Sequence, residues 1–482
     1  MRPPPPTPLV SGQPLALAAA AAAAWLLAGD WIAALSVYVL WAGWRYLRTT
    51  DGPPVLAMAF TFQWVQVTAG VFYYALTGRR LVAMDLSDYR PMVLIGLGCL
   101  VAMLLGLTAG LRLARPRPGM RNPDFDLGLG WRGILVAYFA CVALTGTVQQ
   151  LAWSLPVLTQ GILALTYARL ALVFLMFRRL SEPRIRLGWI GLLLASEVAI
   201  GFTGYFAGFR EPLMMAAVAL LGVFDRRRLH HWVVVGMVAL LMFVTGLMWM
   251  SVRTEYRQDI GSGTLAASGE SRLGRIASLS SDRIRTNMVA LGADMDLFVD
   301  RLWAVYYPAL ALEQVPAVLH HENGAILGGA LYHIVTPRVF FPDKPPLPSD
   351  SDMVRKYAGV WVAGNEEDTS IAFGYAIESY IDFGVPLMFV PVFLYALLLG
   401  LAYRWLLHVI RHRELGIALV TAVFWLSLYL FERSWIKHLG FTLTLLVYLG
   451  GATILFDRLL LARQAGARLV AGRAARLRRA AR

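Results

Sequence analysis

Residues 232–258 read WVVVGMVALLMFVTGLMWMSVRTEYRQ, twenty-one residues without a charge and then Arg253, Glu255 and Arg257. A run of about 20 apolar residues at about 1.5 Å per residue crosses the hydrocarbon layer as a helix, with every backbone polar group satisfied internally. Similar runs lie near residues 15–29, 31–46, 55–78, 91–112, 132–152, 157–178, 187–205, 211–224, 384–404, 415–431 and 438–457. The expectation is an all-α, polytopic membrane protein of about twelve spans. The runs are continuous rather than alternating, which excludes a β-barrel. A 482-residue chain that is 58% hydrophobic and 15% charged, with mean hydropathy +0.59, has too much apolar surface for one soluble core.

The formal charge of +14 raises the question of nucleic acid, but its distribution answers it. Arg45 and Arg48, then Arg112, Arg115, Arg117 and Arg121, then Arg178, Arg179, Arg184 and Arg186, then Arg226–Arg228, then Arg404, Arg411 and Arg413 occupy every second connection. By the positive-inside rule these connections and both termini are cytoplasmic. Residues 15–46 read as an uncleaved helical hairpin rather than a secretory signal. The expected divisions are N-terminal spans over 1–252, an extracytoplasmic excursion with interfacial helices over 253–383, further spans over 384–457, and a basic cytoplasmic tail over 458–482. Cys99 and Cys141 have no His or Cys at ligand spacing and read as core residues.

Candidate chemistry gathers on the opposite face. Arg210 and Glu211 lie at the outer end of two apolar helices. Arg253 and Arg257, four apart, share a face if the helix continues, and two guanidinium forks suit a diphosphate. In LYHIVTPRVFFPDKPP (331–346), Arg338 and Lys344 stand among Phe340, Phe341 and several prolines, which predicts a stiff, non-helical, cationic strap. In TSIAFGYAIESYIDFG (369–384), Glu378 and Asp382 are four apart on one helical face, with Phe373, Ile377 and Tyr380 on another. Two carboxylates at a membrane surface can furnish a general base. His320 and His321 point apart on a regular helix and do not make a metal site, and the Asp350, Asp352 pair lies on the wrong face for a cytosolic nucleotide sugar. Neither a metal nor a cofactor is expected.

The strap and the segment after it resemble the bacterial O-antigen polymerases, the oligosaccharide repeat-unit polymerases of the Wzy type. The matching positions are Pro337, Arg338, Phe341, Pro342, Lys344 and Pro345, then Thr369, Ser370, Gly374, Glu378, Tyr380, Phe383 and Gly384. Arg210, Arg253 and Arg257 are similar to that family's outer-face arginines; Asp382 stands where the family often has Asn. The resemblance implies a GT-C-like fold with a large extracytoplasmic loop in the bacterial cytoplasmic (inner) membrane. It also implies a metal-independent glycosyltransferase acting in lipopolysaccharide or exopolysaccharide biosynthesis. The substrate would be a polyprenyl (undecaprenyl) diphosphate-linked oligosaccharide, and the partners membrane lipid, a chain-length regulator and a flippase. On that reading Arg210, Arg253, Arg257 and Arg338 bind the diphosphate with Lys344 as a secondary contact. Glu378 is the base with Glu211 second, and Tyr380, Phe340 and Phe341 touch sugar or lipid. The alternatives are an O-antigen ligase, which uses a similar donor, and a lipid-linked oligosaccharide flippase or transporter, for which Glu197 inside an apolar span is the one supporting residue.

Overall fold

The computed structural model describes residues 13–48, 52–78, 88–114, 127–155, 158–181, 186–202, 208–225, 227–261, 271–286, 291–337, 340–341, 343–344, 347–364, 366 and 369–480. Among these the chain is all-α and has no strand. The helices are α1 (Gln13–Ala28), α2 (Trp31–Leu47), α3 (Val55–Thr77), α4 (Arg90–Leu113), α5 (Trp131–Ser154), α6 (Thr159–Thr166), α7 (Ala168–Ser181), α8 (Leu187–Phe202), α9 (Arg210–Gly222), α10 (Leu229–Gly261), α11 (Arg272–Thr286), α12 (Leu291–Leu302), α13 (Tyr306–Gln314), α14 (Ala325–Val335), α15 (Asp350–Ala358), α16 (Tyr375–Phe383), α17 (Phe389–Val409), α18 (Arg413–Leu426), α19 (Trp435–Thr444) and, after a π turn at Leu445–Leu449, α20 (Gly450–Ala480).

Seven helical stretches among the described residues are long and apolar enough to cross a membrane: Val55–Thr77, Arg90–Leu113, Trp131–Ser154, Thr159–Ser181, Leu229–Ile260, Phe389–Val409 and Trp435–Gly466. The chain is a multi-pass membrane protein by that measure. The apolar windows near 211–224 and 415–431 form shorter helices, α9 of 13 residues and α18 of 14. In the second window the helix stops because protein groups take over its backbone bonds. Leu430 N–H donates to Gln63 Oε1 at 2.8 Å, and Leu430 C=O accepts from Ala376 N at 3.2 Å. Non-helical backbone at such depth is tolerated where protein surrounds it.

Two close approaches fix the frame. In α4 and α17, glycines let the helix backbones touch: a Cβ on Gly106 would lie 2.3 Å from Phe393 O, and one on Gly110 2.3 Å from Leu397 O. Small residues four apart permit this contact in a membrane, where dispersion replaces the hydrophobic effect between helices. Gly374, at φ +83°, lies against the 427–434 connection, where a Cβ would be 2.4 Å from Leu430 O. Tyr375 N–H donates to Arg433 O at 2.8 Å, so the TSIAFG stretch and that connection are stitched together.

Two expected divisions look different. α10 runs unbroken past 252 to Gly261, carrying Arg253 and Arg257 on one helix, and α20 continues the last span through the tail to Ala480. Within the excursion, α14 is an apolar helix with Leu331, Tyr332 and Val335 half to two-thirds exposed, and Phe340 and Phe341 are exposed just after it. An exposed apolar run of this kind suits contact with acyl chains.

Candidate functional site

Arg210 is the first residue of α9. Its Nη1 donates to both carboxylate oxygens of Glu432, at 3.1 and 3.2 Å, and its Nε and Nη2 reach Glu211 Oε1 at 3.3 and 3.2 Å. The guanidinium lies over the rings of Phe62 and Tyr429, 5.5 and 5.2 Å from their centroids. Gln66 Nε2 donates to Glu432 Oε1 at 2.6 Å, so the polar side of α3 holds the 427–434 connection at two points, Gln63 and Gln66. Arg433 sits over Tyr429 and Phe441 at 5.0 and 4.5 Å, and no carboxylate lies within ion-pair distance of it among the described residues. Glu432, Arg433 and Gln66 were not singled out from sequence; the signal available was a charged pair in a short connection on the same expected face as Arg210.

A second cationic group stands beside α3. Arg253 faces Arg257 and Arg301, and its surroundings contain no neutralising carboxylate among the described residues. Arg257 lies 6.0 Å from the Trp249 ring. The end of α12 that carries Arg301 is fixed on α3 by Trp303 Nε1, which donates to Val67 O at 2.8 Å, and by Ala304 N–H, which donates to Gln66 O at 3.0 Å. The two groups therefore share one anchor: Gln66 binds Glu432 through its side chain and the post-α12 turn through its carbonyl. An aromatic path joins them as well, with Phe209 against Phe202 at 5.0 Å and Phe202 against Trp249 at 6.0 Å. Guanidiniums held near one another favour an anion that bridges them.

Glu378 and Asp382, expected on a helix at the membrane surface, are both buried, and each caps another helix. Glu378 Oε2 accepts from Trp435 N–H, the first residue of α19, at 2.6 Å. Burial pushes the Glu378 carboxyl up to about 8, against the Trp435 N–H bond, which favours the ionised form. Asp382 accepts from Ile326 N–H at 3.0 Å and Leu327 N–H at 2.8 Å, at the start of α14. Lys344 lies at the other end of α14, where its ammonium donates to Thr336 O at 2.9 Å and to His333 O. An anion at the N-terminus and a cation at the C-terminus complement the helix dipole. Arg338, Pro342 and Pro345 of the strap, and the orientation residues Arg115, Arg117, Arg121, Arg184 and Arg226, lie outside the described residues.

Tyr380 is buried, donates to Val315 O at 2.8 Å and lines a cavity of about 780 Å³; Arg210, Glu211, Arg253, Arg257, Lys344 and Glu378 do not line it. Asp350 pairs with Lys437 at 2.8 Å and accepts from Ser370 at 3.0 Å, while Asp352 pairs with Arg355. Glu197 is held by Arg169 and by the Tyr138 hydroxyl, a buried lock between α5, α7 and α8. Among the described residues no three His, Cys, Asp or Glu side chains are grouped to hold a metal.

The chain belongs to the family described as Domain of unknown function (DUF8712), which matches residues 132–430, from the start of α5 to two residues before Glu432. No curated protein and no solved structure matches the chain.

Proposed function

We propose that the protein is a membrane glycosyltransferase that joins lipid-diphosphate-linked oligosaccharide repeat units into polysaccharide at the outer face of the bacterial cytoplasmic membrane, without metal or cofactor. The observation that supports this most is the pair of arginine groups, Arg210 with Arg433 and Arg253 with Arg257 and Arg301, both anchored on α3 at Gln66. When a sugar leaves a lipid diphosphate, one further negative charge develops on a diphosphate that is already anionic, and it needs fixed donors rather than a proton. In this reading Glu432 occupies the Arg210 fork until phosphate oxygens replace it. Arg338 is assigned to the same diphosphate from its sequence motif, and Lys344, which also caps α14, is a secondary contact. The exposed aromatics Phe340 and Phe341 meet the lipid. The attacking hydroxyl needs a base; Glu378 is the residue with a carboxyl tuned close to working pH, and Glu211 is the second choice. An O-antigen ligase would use the same donor chemistry and differ in the acceptor. A flippase draws no support from Glu197, because Arg169 and Tyr138 already neutralise and bind it.

The test is glycan laddering in cells carrying Arg210→Ala or Arg253→Ala. Polymer should vanish, single capped repeats should persist, and the amount of protein in the membrane should be unchanged. Normal polymer length and yield in both variants would sink the assignment. Loss of capped glycan with polymerisation intact would favour the ligase.

A further inference from the structure

The cavity of about 780 Å³ beside α16 has a chemistry opposite to that of the arginine groups. Its walls include the Asp88 and Glu313 carboxylates, the His321 imidazole and the rings of Tyr380 and Phe383, and among the described residues no Arg or Lys lines it. The His321 ring has its polarity fixed. Nδ1 lies 3.2 Å from Ile381 O, and a carbonyl only accepts, so Nδ1 carries a proton and, in the neutral ring, Nε2 is an acceptor. Gly384, at φ +64°, keeps that nitrogen accessible, since a Cβ there would lie 2.8 Å from Nε2. Tyr380 spends its hydroxyl on Val315 O and stands edge-on to His321 at 5.6 Å. On helix α16, Tyr380 and Phe383 face the cavity, whereas Glu378 faces Trp435.

We propose that this cavity binds a saccharide and is the site of the sugar-bearing acceptor that the reaction joins to the lipid-diphosphate donor, an inference that rests on the functional reading above. The Asp88 and Glu313 carboxylates disfavour a phosphate here, although Arg90, which pairs with Asp30, lies beside Asp88. A neutral saccharide supplies many hydroxyl donors for carboxylate and imidazole acceptors, and its C–H faces pack on aromatic rings. The volume falls within the range of about 300–1,000 Å³ that small-molecule sites occupy.

The full-length protein in detergent, with Cys99 and Cys141 replaced by Ala and Val385→Cys as reporter on the cavity wall, tests this through the rate of maleimide labelling. The probes are the glycan pool freed from lipid-linked oligosaccharides by mild acid, inorganic pyrophosphate, and spermidine as an organic cation. At about ten times its half-saturating concentration, the glycan should slow labelling about tenfold, as mass action requires of a site that excludes reagent when filled. Pyrophosphate and spermidine should leave the rate unchanged. Adding Glu313→Gln or His321→Ala should raise the glycan concentration needed, in protein whose melting temperature matches the reporter. Protection by pyrophosphate or spermidine in place of glycan, or by none of the three, overturns the proposal. Glycan protection with normal polymer in both Arg210→Ala and Arg253→Ala would keep the saccharide site and remove the polymerase reading; Arg-dependent polymerisation without glycan protection would do the reverse.

Discussion

Glu378 carries a carboxyl in a place where water would normally be needed to ionise it. Folding holds it protonated up to about 8, against an ordinary value of 4.5, because burial disfavours the charge. The folded state therefore binds a proton that the unfolded state releases between those limits. This contribution to stability is full below about 4.5 and disappears as the pH rises through about 8, a span worth on the order of a few kcal/mol. Thermal melts in detergent at pH 5 and pH 9 should show the wild type losing stability at the higher pH and Glu378→Gln varying less; equal slopes for the two would contradict the assignment. Arg210 makes a different prediction. Arg210→Lys keeps the charge but loses the fork that reaches Glu432 and Glu211 together, so polymer yield should fall by about tenfold or more while the protein remains folded. Arg210 was legible in the sequence because a charged pair at the end of apolar helices is unusual. Its partners were not, since Gln66 and Glu432 are separated by 366 positions and nothing local in either segment announces the pairing.

At the scale of elements, α14 shows how a charge pattern read as chemistry can also hold a helix. Asp382 binds two N–H groups at its start and Lys344 binds carbonyls at its end. Asp382→Ala should destabilise by about 1–3 kcal/mol, because it leaves two buried donors unsatisfied. Lys344→Ala should cost less, about 0.3–1 kcal/mol, as expected for a cation at a helix C-terminus. If Lys344→Ala leaves the melting temperature unchanged while polymer yield drops, its principal role is the phosphate and not the helix. Composition and periodicity placed the long helices well, and they placed Glu378 and Asp382 on the same helix. They could not place α16 in the interior, because the residues that bury it, Trp435 and the 427–434 connection, belong to a later part of the chain. The α4–α17 seam adds a sharper case: a larger side chain at Gly106 must push a backbone carbonyl 2.3 Å away, so Gly106→Val should leave little folded protein in the membrane by detergent-extracted size exclusion.

For the whole molecule, the arginine distribution decides which side of the membrane the site faces, and every functional statement depends on it. The charges at Arg178 and Arg179, at Arg227 and Arg228 and at Arg411 and Arg413 fall on connections opposite to the ends that carry Arg210, Arg253 and Glu432. Positive residues near span ends are retained on the cytoplasmic side, so the arginine groups and the cavity should open outward, the face on which the proposed polymerisation would take place. Val318 is 69% exposed within the excursion, and position 463 lies on α20 near the end of the last apolar stretch, Trp435–Gly466. With the native cysteines replaced by Ala, Val318→Cys should react with a membrane-impermeant maleimide in intact spheroplasts. Arg463→Cys should react only after permeabilisation. The opposite pattern would turn the site to the cytosol, where the proposed acceptor and donor would have to be intermediates not yet carried across the membrane, and the polymerase reading would fail on geometry before any assay of turnover.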